Sequence, residues 1–223
     1  MNNIIFQSIL ASEHNLFPPK PAYQLIPDWW KKLSPSANID NIGIVPTVKQ
    51  CPPTIDILSS GYLIFTQCDM EFGPDGFFKY NYDHKVVERW YLEVTEGMVY
   101  PKNFSDYVYK FINRWIIQTP DGYSCLFIHP SAYPDLPFIT LPGVVDTDKL
   151  MTDINPPFRM KNGWTGTIKA GTPIAQIIPF KREDWTHSLA HLGESEFLKK
   201  QSELRSLGHG TYLKTMRENK VYR

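Results

Sequence analysis

The chain has 223 residues, 42% of them hydrophobic and 14% aromatic, which is enough apolar surface to order one large domain and excludes a disordered polyampholyte. Lys plus Arg equal Asp plus Glu at 23 each, so no long-range field of one sign exists to draw in nucleic acid or anionic lipid. Three cysteines, Cys51, Cys68 and Cys125, have no CxxC spacing, which argues against a disulfide framework or a zinc knuckle and fits a reducing compartment.

Residues 1–15 lack a basic n-region, and no apolar stretch is long enough to span a bilayer. The expectation is a cytoplasmic protein without a membrane partner. Strand-like runs then follow in order: Ile4 to Ile9, Gly61 to Thr66, Tyr107 to Thr119, Tyr123 to His129, Phe138 to Val145 and Pro173 to Pro179. Proline pairs at 18–19, 52–53 and 156–157 separate them and keep helices short. A helical turn is predicted at Pro27 to Leu33, where proline occupies the first turn and Asp28 sits at the positive end of the dipole. Over 107–117, Tyr107, Tyr109, Phe111, Trp115 and Ile117 share one side of a period-two pattern that Asn113 interrupts.

From residue 183 the texture turns to Glu, Lys, Leu and Ser, with a loose apolar stripe of Trp185, Leu189, Leu192, Phe197, Leu204 and Leu207. This predicts a helix broken near Gly193, a turn at Gly208 to Gly210 and a short basic helical tail. The domain division is therefore a mainly β body over 1–182 and a helical extension over 183–223, packed on the body or on a neighbouring subunit.

Three pieces of 119–180 carry a family resemblance: Thr119 to Tyr123 followed by Pro130-Ser131, Pro142-Gly143-Val144-Val145-Asp146-Thr147-Asp148, and Gly171 to Ile178 with its Ile-Ala-Gln. Their order is similar to the dUTPase and dCTP-deaminase superfamily. That likeness implies a mainly β fold, a distorted β-barrel or β-clip with C-terminal helices, assembled as a closed trimer with pockets between subunits. It also implies that Asp146 is the catalytic carboxylate that positions the attacking water, and that Ser131, Gly143, Asp148 and Gln176 bind the ligand, a small anion such as a nucleotide. Mg2+ would be required only for nucleotide hydrolysis. Several of the family's groups are missing: His129-Pro130 stands where an arginine is expected before Ser131, Lys149 or Leu150 where a stacking aromatic is expected, and no arginine-bearing glycine-rich tail follows. A triphosphate needs several donors at once. The leading expectation is therefore a non-catalytic β protein that works by self-assembly or partner binding, in the manner of Pro- and aromatic-rich bacteriophage proteins, in a host cytoplasm or a virion. The alternative is a dUTPase-like enzyme.

Other groupings favour ordinary roles. His187, His191 and Glu194 could share one helix face and hold a metal, but a polar helix face is the stronger reading, and no metal site is assigned. Cys125 sits in an apolar strand as a core residue. The acidic group Asp69, Glu71, Asp75, Asp83 and Glu88 lacks the spacing of a calcium loop and reads as a solvated hairpin. Trp29-Trp30, Trp90-Tyr91 and Trp115 could form an aromatic platform, but core filling or a subunit contact suits them better.

Overall fold

Proline and glycine cut the chain into short strands, because proline cannot donate to a ladder and glycine supplies the turns between them. The computed structural model describes residues 2–10, 16–90, 103–206 and 212–223. It is mainly β, with 33% strand and 19% helix. In chain order the elements are β1 (Ile5–Ser8), β2 (Lys20–Pro21), α1 (Asp28–Lys32), β3 (Ser36–Ile39), β4 (Gly43–Pro46), α2 (Pro52–Ser59), β5 (Tyr62–Phe65), β6 (Met70–Phe72) and β7 (Phe78–Tyr80). They continue with β8 (Val87–Arg89), β9 (Tyr109–Phe111), β10 (Trp115–Gln118), β11 (Tyr123–Ile128), β12 (Phe138–Thr140), β13 (Gly143–Val145), β14 (Pro157–Met160), β15 (Gly166–Ile168), β16 (Pro173–Lys181) and α3 (Glu194–Ser206).

Among the described residues the strands pair in five antiparallel sheets, and none of these closes into the expected barrel. The largest runs β13-β11-β16-β5-β2, a second runs β12-β14-β9-β8, and a third runs β15-β6-β7. β16 is the spine of the first. Its buried stretch Pro173 to Ile177 is apolar apart from Gln176, the pattern of a strand covered on both faces. Between the sheets lies one aromatic core, where Phe111 and Phe158 stack at 3.7 Å and Phe138 meets Phe158 edge-on at 5.6 Å. Gly61 enters β5 with φ +69, and a β-carbon there would lie 2.0 Å from the Ile177 carbonyl oxygen, so only glycine permits β5 to approach β16.

Four sequence expectations are corrected. The run Tyr107 to Thr119 is two strands on different sheets, because Asn113 bends the chain: its backbone N–H donates to Asn155 Oδ1 at 3.0 Å and its side-chain oxygen accepts from the Trp115 N–H at 3.0 Å. The run Phe138 to Val145 also divides, at Leu141-Pro142, so that β12 and β13 join separate sheets. Helix α2 begins at the Pro52-Pro53 pair expected to break the chain, since proline is tolerated in a first turn. Residues 183–193 are irregular where a helix was expected, and helix begins only at Glu194. The turn expected at Gly208 to Gly210 lies outside the described residues.

The chain end returns to the body. Arg217 Nε donates to Asp56 Oδ1 at 3.0 Å, Lys220 Nζ reaches Asp56 Oδ2 at 3.1 Å, and Tyr222 meets the Tyr62 ring edge-on. The Arg217 guanidinium, with Lys220, holds the Asp56 carboxyl below its ordinary pKa despite burial.

Candidate functional site

Asp146 and Asp148 lie on the turn after β13, whose first bonds run from the Lys149 and Leu150 N–H groups to the Asp146 carbonyl. Antiparallel pairing of β11 with β13 and with β16 brings this turn beside the start of β11 and the end of β16. Arg182, the residue after β16, lies among the acids. Its Nη1 donates to Asp148 Oδ1 at 2.9 Å, to Ser124 Oγ at 2.9 Å, to the Tyr123 carbonyl at 2.9 Å and to Asp146 Oδ1 at 3.2 Å, while its Nη2 pairs with Asp148 Oδ2. Ser124 Oγ donates to Asp146 Oδ1 at 2.7 Å. The Gly122 N–H donates to Asp148 Oδ2 at 2.9 Å, and the Arg182 N–H donates to the Gly122 carbonyl at 2.8 Å.

The Asp148 side chain is only 4% exposed and the Arg182 fork holds its carboxyl down at about 2. Asp146 is half exposed and accepts from both Ser124 and Arg182. Chemically the cluster is a staple across three strand ends. Both hydrogen bonds to Asp146 fall on Oδ1, which ties this carboxylate into the staple.

Gln176 and Ser131 sit elsewhere. Gln176 is 1% exposed, opposite Ile128 in the β11–β16 register, four residues along β11 from Ser124, or roughly 14 Å. Its Oε1 accepts from the Ser131 N–H at 3.0 Å, and its Nε2 donates to the carbonyls of Ile57 at 2.8 Å and Ser60 at 2.7 Å. Gln176 thus ties the Pro130–Ala132 turn and the end of α2 to β16. Gly143 is exposed on the edge strand β13, paired across Phe127. The fold brings Asp146 together with Asp148, and Ser131 together with Gln176, but places the two pairs at opposite ends of β11.

The remaining chemistry-bearing groups are quiet. Burial pushes the Cys68 and Cys125 thiols up to about 11, far from a nucleophilic thiolate, while Cys51 is exposed. His129 Nδ1 accepts from the Thr140 N–H at 3.2 Å, so its Nε2 carries the proton and faces the Tyr133 carbonyl at 3.3 Å; burial lowers its pKa. His187 and His191 stand on the irregular segment and not on a helix face, and no group of three metal-ligating side chains occurs among the described residues.

Sequence reading missed Arg182. Its only signal is a cation directly after an apolar strand, and nothing local shows that the strand register delivers it to Asp146 and Asp148. No helix among the described residues is long and apolar enough to cross a membrane. The chain matches no protein-family model, and no curated protein matches it.

Proposed function

We propose that this protein acts through self-assembly, with the segment after β16 as the element that meets a second copy of the chain. One observation carries the reading: Trp185 is 85% exposed and Leu189 97% exposed on the irregular stretch that leaves the body after Arg182. Exposing two such side chains so close together is costly in a monomer, and large aromatics are enriched at the centres of interfaces. The stripe continues on α3, where Phe197 and Leu198 are each about half exposed, so α3 keeps an uncovered apolar side. A closed trimer is the expected form, since closure satisfies every copy where an open array would leave edges.

A dUTPase-like clip stays the second reading. What favours it is that the matched pieces meet in one sheet, with β11, β13 and β16 all drawn from residues 119–181. The separation of Asp146 from Ser131 and Gln176 weighs against a nucleotide pocket built within one chain.

Light scattering at micromolar concentration tests the assembly. The expected mass is a small multiple of 25.8 kDa, and replacing Trp185 and Leu189 together by serine should shift the population to monomer without altering the melting of that monomer. A parent protein that scatters as a 25.8 kDa monomer overturns the proposal.

A further inference from the structure

Three loops remote in sequence converge beside the aromatic core: the Gly73–Gly76 turn between β6 and β7, the stretch Ser105 to Tyr107 that leads into β9, and the Met160–Thr165 connection between β14 and β15. They enclose a cavity of about 280 Å3. Asp75 and Gly76 both adopt left-handed backbone, φ 55 and 75, which makes the first loop a tight turn at the cavity wall. A side chain at Gly76 would meet Arg89 Nη1 at 3.0 Å and the Tyr107 ring at 3.1 Å.

The walls are of two kinds. Tyr107 and Trp164 line the cavity. Unlike the rings of Phe72 and Tyr109, which pack on one another at 5.5 Å, they make no ring–ring contact with any described aromatic. Around them stand hydrogen-bonding side chains: Asp75, Asn162, Ser105 and Thr165. Tyr109 lines the floor. The residue is 2% exposed, no hydrogen bond to its hydroxyl is formed among the described residues, and that hydroxyl is not one of their fully buried unpaired groups, so it is open to the cavity. A ligand that enters can therefore hydrogen-bond this hydroxyl without displacing a protein partner.

We infer that this cavity binds a single sugar ring. A pyranose has an apolar C–H face that packs on an aromatic plane and a rim of hydroxyls that pair with carboxylate, amide and phenol groups, and this site offers both. Its volume lies at the low end of ligand pockets, about 300 Å3, which suits one ring and is too small for a nucleoside triphosphate. Charge agrees. The Lys161 ammonium donates to the Asp135 carbonyl at 3.3 Å, and the Arg89 guanidinium lies over the Tyr107 ring at 5.3 Å. The cations are thus engaged and no phosphate cradle is formed.

Saturation-transfer NMR on the intact protein, with glucose, galactose, mannose and N-acetylglucosamine as separate probes at millimolar concentration, tests the inference. At least one should bind saturably and shift the Trp164 indole resonance, assigned by its loss in Trp164→Phe. Tyr109→Phe and Asp75→Asn should each weaken that binding about tenfold while the melting temperature holds, since the first removes an unpaired hydroxyl and asparagine tolerates a left-handed backbone. Silence from all the sugars, equal binding of uridine, or undiminished binding by both variants overturns the assignment. A lowered melting temperature in Tyr109→Phe would make the hydroxyl structural and overturn it as well.

Discussion

Replacing Gln176 by leucine separates a structural clamp from a ligand contact. The substitution keeps the volume in the β16 core but removes an amide that serves three backbone groups. The Ile57 carbonyl belongs to a partly exposed residue and regains water. The Ser60 carbonyl and the Ser131 N–H do not: Ser60 is buried and Ser131 half-buried. Each buried group left unpaired costs roughly 1–3 kcal/mol, so about 3 kcal/mol is expected for the two. For a chain of this size that lowers the melting temperature by about 9 °C. Thermal and urea unfolding measure the loss, and hydrogen exchange at the Ser131 amide should accelerate more than exchange in the middle of β11. Asp146→Asn is the control, because an exposed acceptor that keeps its geometry should cost less than about 1 kcal/mol. A Gln176→Leu protein that melts within about 2 °C of the parent would refute the clamp and return Gln176 to the ligand-binding residues.

Acid should probe the Arg182 staple. The folded pKa of Asp148, about 2, lies below its ordinary 3.8, so its stabilisation is complete above the ordinary value and is lost as pH falls toward 2. The stability difference between the parent and Asp148→Asn should therefore be constant from pH 7 to about 5 and shrink toward pH 2; a difference that widens in acid would refute the ion pair. A thiol reagent at pH 8 should modify one of the three cysteines quickly in the native protein and all three after denaturation, because Cys51 is exposed whereas a thiol at about 11 is thiolate on the order of one part in a thousand. Native modification of Cys68 or Cys125 at the rate of Cys51 would contradict their burial.

The sequence by itself determined the class of fold and much of the strand placement. Proline spacing and period-two apolar runs are local signals, and β1, β5, β11 and β16 lie where those signals put them. The helical turn at Pro27 to Leu33 was legible too, from a proline and an aspartate whose effects act within one turn. Tertiary structure decided what no local pattern encodes. Asn113 looked like a defect in one strand, yet bonds to Ile154 and Asn155, some forty residues away, make it the corner between two sheets. Residues 183–193 have helix-compatible composition, but a helix needs a surface on which to bury its stripe, and the exposure of Trp185 and Leu189 shows that this chain offers none there. The resemblance grouped Asp146, Ser131 and Gln176 by their order along the chain. The β11–β16 register placed them at the two ends of one strand and delivered Arg182 to the acids, while the pairings within two other sheets, β14 with β9 and β15 with β6, brought Asp75, Tyr109 and Trp164 around one cavity. Register arises from pairing between distant segments, where a shift of one residue turns every side chain to the other face, so it belongs to the folded molecule and not to any stretch of its sequence.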